Sequence, residues 1–210
     1  MGDRPNIHNK RAYYQIRSDH MPLPKDTKYN YQDLLNWNGP ERYELIEGVP
    51  VLLASPSRVH QEILTELVRQ IANYLDGKSC RVYPAPFSVR LFASQEDSND
   101  DVTTVVEPDI SVICDPGKLD DFGCVGAPDL VLEILSPSTA RYDRLEKLRL
   151  YQQAGVKEYW IVNPADQSVL VLLLDDSGQY RIHEVYTKDS EAKIHVLNDC
   201  RIYLDRVFSN

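Results

Sequence analysis

The 210-residue sequence has few glycines and no long run of apolar residues. Its apolar stretches, such as residues 130–135, are interrupted by charges and are far shorter than the roughly 20 residues that a membrane-spanning helix needs. Only nine glycines occur, and the sequence contains neither a glycine-rich phosphate loop before a predicted helix nor a G-x-S-x-G turn. These absences argue against a membrane protein, a phosphate-loop nucleotide-binding protein and a serine hydrolase.

The sequence is also poor in cysteine and lacks an apolar leader. Its four cysteines are Cys80, Cys114, Cys124 and Cys200, which form no C-x-x-C pair and have no zinc-finger spacing. A chain of this length can bury a substantial core without disulfides, so we expect four free thiols and a reducing compartment. The polar N-terminal 20 residues do not resemble a secretory signal. The sequence therefore predicts a cytoplasmic location.

Basic residues are outnumbered by acidic ones. Asp and Glu total 32 against 23 Lys and Arg, which gives a net charge of −9. The excess lies within residues 61–140, which carry 14 acidic and 5 basic side chains. Part of it is the run QEDSNDD at Gln95–Asp101, which predicts a solvated loop. Because nucleic-acid-binding proteins usually present a basic surface, the overall charge argues against tight, nonspecific binding to DNA.

Hydrophobic periodicity divides the chain into an N-terminal arm, residues 1–27, and a single domain, residues 28–210. Helices are predicted at about 29–37, 57–76 and 139–154, and the second has the clearest three-to-four-residue repeat. Strands are predicted at 42–46, 49–54, 81–83, 87–92, 103–106, 110–114, 130–135, 158–162, 169–174 and 180–185. This order predicts a mixed α/β domain, with helices packed on one sheet.

Two carboxylates stand out in the predicted strands. Glu133 is the only charge in the apolar run of DLVLEILS, and a buried carboxylate needs a proton, a cation or hydrogen bonds. Asp109 follows Pro108 at the start of the strand ISVIC, where an acidic residue could also simply cap the strand. If the two strands are adjacent, Mg²⁺ or Mn²⁺ could lie between the two carboxylates. An internal salt bridge to Glu133 is the alternative.

A lysine follows these strands on the third predicted helix. Lys147 shares a face with Leu150 and Ala154, so its side chain should point partly towards the core. It could form an ion pair with Glu133 or Asp143. It could instead position a water molecule or stabilise charge that develops on a phosphate.

Three further residues are weaker candidates. His60 lies at the start of the second predicted helix, where a histidine often has only a local capping or surface role. Glu44 and Glu47 flank the turn of the first predicted hairpin and could add a carboxylate to a metal site. Hairpin carboxylates are more commonly solvated, and this is the simpler expectation for both residues.

Five segments together resemble a known pattern: YELIEGVPVLLASPSRVHQEIL, PDISVIC, LVLEILSPST, YDRLEKLRLYQQAGV and EYWIVNP. The chain resembles the PD-(D/E)XK nuclease superfamily over about residues 29–174. More narrowly, it is similar to the restriction-endonuclease-like proteins that many bacterial genomes carry in several copies. The resemblance implies a restriction-endonuclease-like mixed central sheet that is flanked by helices.

The resemblance also implies roles for particular residues. Asp109 and Glu133 would hold Mg²⁺, with Mn²⁺ as a possible substitute, and Lys147 would be the lysine of the signature. The usual superfamily lysine stands two residues after the glutamate, but that position is Leu135 here; in the narrower family a helix lysine takes its place. His60 and Glu47 match characteristic positions, with a supporting catalytic role.

The implied activity is metal-dependent hydrolysis of DNA phosphodiester bonds by a protein that forms a homodimer. A basic surface formed by Arg58, Arg141, Arg144 and Lys147 is then expected near the cleft. The competing hypothesis is a catalytically inactive nuclease-like domain for binding or assembly. In that protein, Glu133 and Lys147 would form only an internal ion pair.

Overall fold

A computed structural model describes residues 27–136 and 140–209, and only the backbone for residues 140–145. The helices are α1 (Tyr31–Asn36), α2 (Arg58–Leu75), α3 (Ala140–Ala154) and α4 (Leu204–Val207). The strands are β1 (Tyr43–Ile46), β2 (Val49–Leu52), β3 (Arg81–Pro84), β4 (Val89–Arg90), β5 (Ile110–Ile113), β6 (Leu119–Asp120), β7 (Gly123–Val125), β8 (Leu130–Ile134), β9 (Glu158–Asn163), β10 (Ser168–Leu174), β11 (Tyr180–Thr187), β12 (Glu191–Lys193) and β13 (Arg201–Tyr203). The predicted arm lies outside the described residues except for residue 27.

The central sheet has six strands in the order β11-β10-β9-β8-β5-β3. Strands β8 and β9 are parallel and α3 connects them, whereas every other neighbouring pair in this sheet is antiparallel. A parallel pair needs such a crossover, because a short turn can join only antiparallel strands. The mixed central sheet with flanking helices is confirmed.

The central sheet is covered on both faces, and β8 shows how its residues are divided between them. Leu130, Leu132 and Ile134 belong to a core that includes the apolar side of α2. Val131 points to the opposite face, together with residues of α3 such as Leu150. Because side chains alternate along a strand, Glu133 must lie on the α3 side. This alternation decides which helix the buried carboxylate meets.

Some predicted elements differ in length from those observed. The predicted strand at 87–92 is only the two-residue β4, and that at 103–106 is reduced to single bridges at Val105 and Val106. Strands β6, β7, β12 and β13 were not predicted, because segments of two or three residues are too short to show a period of two. The first hairpin is confirmed, and its turn residues Glu47 and Gly48 both have positive φ, at 50° and 78°.

The expectation of four free thiols is wrong for two of the cysteines. Cys80 and Cys114 form a disulfide between residues that are 34 apart in sequence, whereas Cys124 and Cys200 are free and buried. The pairing of β3 with β5 places Arg81 opposite Ile113, so the two cysteines face each other one step further along. Only the strand register shows this proximity.

In the described part of the chain, no helix has the length and apolarity to cross a bilayer.

Candidate active site

Asp109 and Glu133 lie side by side at one end of the central sheet. The antiparallel pairing of β5 with β8 places Ile110 opposite Leu132, and one further step brings Asp109 opposite Glu133. Asp109 Oδ2 also accepts a hydrogen bond of 2.7 Å from the backbone N–H of Ile134. The two carboxylates that were predicted from separate motifs are therefore cross-strand neighbours.

Glu133 is buried, and its charge is partnered from α3. Its Oε1 atom accepts hydrogen bonds from Lys147 Nζ at 2.9 Å and from the Tyr151 hydroxyl at 2.6 Å. Lys147 and Tyr151 are one helical turn apart, so both reach the sheet from the same face of α3. The ion pair predicted between Glu133 and Lys147 is present.

Glu44 is the fourth member of this buried cluster. From β1, its Oε1 accepts one hydrogen bond from Lys147 Nζ and another from the backbone N–H of Glu107, each at 2.9 Å. The Glu44 side chain is only 2% exposed. Glu44 thus joins the first hairpin, α3 and the segment that leads into Asp109.

His60 approaches Asp109 from the other side. Ser57 caps α2 by accepting a hydrogen bond from the His60 N–H, which places His60 in the first turn. His60 Nε2 lies 3.2 Å from Asp109 Oδ2, and the imidazole is 12% exposed. The structure therefore brings His60, predicted only as a supporting residue, into contact with the first candidate metal ligand.

The environment changes the protonation equilibria in the cluster. Burial raises the pKa of Glu133, as do the charges of Asp109 and Glu44, whereas the Lys147 ammonium opposes this shift. Burial by itself would lower the pKa of Lys147, but Glu133 and Glu44 outweigh it and hold that pKa well above its ordinary value. Burial also favours neutral His60, yet the hydrogen bond and charge of Asp109 raise its pKa. The raised pKa favours the charged form of the lysine that lies between the two carboxylates.

Two carboxylate oxygens in the cluster remain available to a cation. Among the described residues, no hydrogen-bond donor reaches Asp109 Oδ1 or Glu133 Oε2, because all donors meet the other oxygen of each group. No three His, Cys, Asp or Glu side chains of the described segments meet closely enough to hold a metal ion by themselves. Two carboxylates completed by waters and substrate phosphate are a typical Mg²⁺ donor set. The residues present therefore fit such an ion.

Glu47 is not brought into this cluster. It is exposed at the hairpin turn, where its backbone N–H donates to Thr104 Oγ1 and its carbonyl accepts from Lys28 Nζ. Glu44, three residues earlier, points inward instead. Solvation was the simpler expectation for both glutamates, and it holds for Glu47 but is wrong for Glu44.

The structure modifies the prediction of a basic surface near the cleft. Lys147 does not contribute to it, because this residue is 6% exposed and is neutralised by carboxylates. Arg58 is exposed at the start of α2 and forms an ion pair with Glu62. The side chains of Arg141 and Arg144 lie outside the described part of the chain.

Sequence reasoning did not assign a role to Tyr151, although one signal was available. Tyr151 lies four residues after Lys147, so a helix that directs the lysine towards Glu133 must direct the tyrosine to the same place. For Glu44, the signal was weaker: its neighbours Tyr43 and Leu45 are both apolar, and all three residues are buried in β1. Simple alternation would have placed Glu44 on a solvated face.

Comparisons with known proteins give a family match and a sequence relative. A family model named Uma2, with the description "Putative restriction endonuclease", matches residues 30–204. The chain is 27% identical over 173 residues to "Uncharacterized protein slr1290" from Synechocystis sp., covering 81% of this chain and 87% of that protein.

A solved structure shares the fold. It is described as a putative nuclease belonging to DUF820 from Anabaena variabilis, and it superposes with a TM-score of 0.64 at 21% sequence identity. The match covers 86% of this chain and 97% of the Anabaena chain. At this identity the likeness shows the fold alone, whereas the family model spans most of the sequence. The chain therefore belongs to the Uma2 family of putative restriction endonucleases.

Proposed function

We propose that this protein is a Mg²⁺-dependent endonuclease that hydrolyses phosphodiester bonds in DNA, with Mn²⁺ able to replace Mg²⁺. The observation that carries the proposal is the pairing of Asp109 with Glu133, each with one oxygen free of donors from the described residues. Two adjacent carboxylates repel each other unless a cation lies between them. The family description supports the same reaction class.

The residues of the cluster would have different roles in the reaction. Asp109 and Glu133 would hold the metal ion, which when bound would polarise the phosphate and activate a water molecule. His60 and the Ile134 N–H hold Asp109 Oδ2, which would leave its other oxygen for the cation. The site would act mainly by positioning the substrate and by stabilising charge.

Lys147 would assist from the buried side of the site. An ammonium group has three N–H donors, and the described residues take two of them, through Glu44 and Glu133. The third N–H can orient the attacking water or stabilise charge that builds up on a phosphate oxygen. Glu44 limits the movement of Lys147 and would thereby keep that donor in place.

A second candidate function is binding or assembly without catalysis. The observation that favours it is the Glu44–Lys147–Glu133 arrangement, in which a lysine pairs with both buried carboxylates and offsets part of their charge without any metal. The net charge of −9 points in the same direction. Cleavage activity distinguishes the two candidates.

The deciding experiment is cleavage of supercoiled plasmid DNA with Mg²⁺ or Mn²⁺. Wild type should nick or linearise the plasmid, whereas Asp109→Asn and Lys147→Ala should not. Asp129→Asn is a matched control, because Asp129 also accepts a cross-strand backbone N–H, from Cys114, but lies at the opposite end of β8. A wild type that never cleaves, or an Asp109→Asn variant that cleaves normally, would overturn the nuclease proposal in favour of binding or assembly.

Homodimerisation is part of the same proposal, because cutting both strands of a duplex is easiest with two sites. Light scattering coupled to size-exclusion chromatography should then give about twice the 24.1 kDa chain mass. A monomer that linearises plasmid in a single binding event would contradict this arrangement.

A further inference from the structure

We propose that Tyr151 is a positioning residue of the metal site, and that its hydroxyl fixes the Glu133 carboxylate so that Oε2 faces the cation. This inference rests on the proposed metal-dependent function. It concerns a residue that would touch neither metal nor substrate and would act only through Glu133.

The Tyr151 hydroxyl is not needed for packing. The side chain is fully buried, and its ring packs edge-on against Tyr159 at a centroid distance of 5.0 Å within the core on the α3 side of the sheet. A phenylalanine would fill nearly the same volume without a polar atom to desolvate. The hydroxyl finds its partner in Glu133, at 2.6 Å. A buried phenol whose hydrogen bond goes to a candidate metal ligand is better explained by the site than by the core.

Two donors on one oxygen constrain the orientation of a carboxylate. Lys147 Nζ and the Tyr151 hydroxyl both donate to Glu133 Oε1, so that oxygen is committed to α3. Lys147 ends a long flexible chain and is shared with Glu44. The rigid ring of Tyr151 supplies a donor with far less freedom to follow a rotating carboxylate. With Oε1 held in this way, Oε2 is the oxygen left for a cation.

The chemistry of the donor also fits this role. A second ammonium or guanidinium group at Oε1 would repel an incoming divalent cation, because like charges in a buried site interact strongly. The tyrosine hydroxyl orients the carboxylate and brings no charge. The positive charge of Lys147 is already balanced by two carboxylates. The Tyr151 hydroxyl adds no positive charge, so Glu133 can still attract a cation.

The test is a titration of the full chain with Mn²⁺ in the absence of DNA. Electron paramagnetic resonance measures the concentration of free Mn²⁺ at each step. Loss of a group that hydrogen bonds to a metal ligand typically weakens metal binding by about 10–100-fold, and we expect Tyr151→Phe to weaken Mn²⁺ binding by about tenfold or more. Tyr180→Phe is the matched control, since Tyr180 also packs against Tyr159, but its hydroxyl donates to the carbonyl of Val156. Mn²⁺ binding by this control should equal that of wild type.

A second readout separates positioning from general damage to the fold. If Tyr151 acts through the metal ligand, raising the Mg²⁺ concentration should restore much of the cleavage rate of Tyr151→Phe, because the apparent metal affinity has changed. Because a bound ion also stabilises the folded state, a loss of folded protein has to be excluded by thermal unfolding without Mg²⁺. Thermal unfolding of Tyr151→Phe and Tyr180→Phe should show comparable melting temperatures.

Each outcome bears on the proposal. Equal Mn²⁺ affinity in wild type and Tyr151→Phe would overturn the role of Tyr151 while leaving the nuclease proposal standing. Weaker binding in Tyr151→Phe together with a wild type that never cleaves DNA would support the positioning role and overturn the nuclease proposal. A wild type that binds no Mn²⁺ would overturn both.

Discussion

Asp109 Oδ2 lies 2.7 Å from the backbone nitrogen of Ile134, the residue that follows Glu133 on the neighbouring strand. The donor is a main-chain N–H of β8, whose position is fixed by the sheet, and the acceptor is the Asp109 side chain. This hydrogen bond sets the position of one carboxylate relative to the other. The geometry of the candidate metal site is thus built into the pairing of β5 with β8.

The first prediction concerns His60, the second partner of Asp109 Oδ2. His60→Ala removes the imidazole contact at 3.2 Å but leaves the Ile134 hydrogen bond in place. Because partners of metal ligands commonly contribute about tenfold or more to activity, we expect initial plasmid cleavage rates to fall by about that factor. Gln61→Ala, on the exposed side of the same helix, should leave the rate unchanged. Equal rates for wild type and His60→Ala would reduce His60 to a local role at the start of α2.

The second prediction concerns the balance of charge around Lys147. Lys147→Met keeps much of the side-chain volume but leaves Glu44 and Glu133 buried without their shared cation. Removing one partner of a buried ion pair typically costs about 3–5 kcal/mol. Urea unfolding at pH 7 should show a loss of this size in the free energy of unfolding.

A compensating substitution tests the cause of that loss. Adding Glu133→Gln to Lys147→Met removes one of the two unbalanced carboxylates, so the double variant should be more stable than the sum of the single effects predicts. Strict additivity of the two free-energy changes would show that the ion pair is not the origin of the destabilisation.

How much of this site could be predicted from sequence depended on the distance along the chain between partners. Glu133 and Lys147 were recognisable, because an isolated charge in an apolar strand or on a core-facing helix side implies a partner, whereas Asp109 became informative only together with Glu133. Glu44 was not recognisable, because its partner Lys147 is 103 residues away and its own strand showed no clear alternation. Contacts of this kind follow from tertiary packing and leave no periodic signal.

The same reasoning explains the errors in the fold prediction. The long helix α2 and strands β5 and β8 were found because their apolar residues repeat over a full element. Strands β12 and β13 pair through only three residues each, which gives too little pattern to recognise. The disulfide between Cys80 and Cys114 depended on the register of β3 with β5, which the cysteine spacing could not show.

The third prediction concerns DNA binding by the start of α3. If Arg141 and Arg144 contact phosphates, replacing both with Ala should weaken binding of a DNA duplex in Ca²⁺ buffer. The slope of log affinity against log salt concentration should then fall by about 2, since each neutralised phosphate contributes about 0.9. The double variant Arg181→Ala with Arg201→Ala removes the same charge from exposed positions on β11 and β13. It should leave the slope unchanged. An identical slope in both double variants would argue against phosphate contacts at 141 and 144.

The fourth prediction concerns the disulfide. Closing a loop of 34 residues restricts the unfolded chain, and the loop-entropy relation gives a stabilisation of about 4 kcal/mol. For a chain of this size, each kcal/mol shifts the melting temperature by about 2–4 °C, so dithiothreitol should lower the melting temperature of wild type by about 10 °C. Cys80→Ser with Cys114→Ser should melt at the lower temperature with or without the reductant. If dithiothreitol does not change the melting temperature of wild type, the two cysteines are not joined by a disulfide in solution.

The last prediction is a pH dependence of stability that comes from Asp129. This residue lies at the end of β8 that is remote from the candidate metal site. Burial by itself would raise the pKa of Asp129, but the hydrogen bond from Lys157 and the one from the Cys114 N–H outweigh it and lower that pKa below 3.8. A carboxyl with a lower pKa in the folded state stabilises the protein fully above its unfolded pKa, and this contribution is lost as the pH falls through the folded value. Asp129→Asn should therefore reduce the free energy of unfolding by about 1–2 kcal/mol at pH 7. The difference from wild type should shrink as the pH falls below about 4. Urea unfolding of both proteins between pH 7 and pH 2.5 measures this difference, and one that stays constant over that range would contradict the assignment of the charge to Asp129.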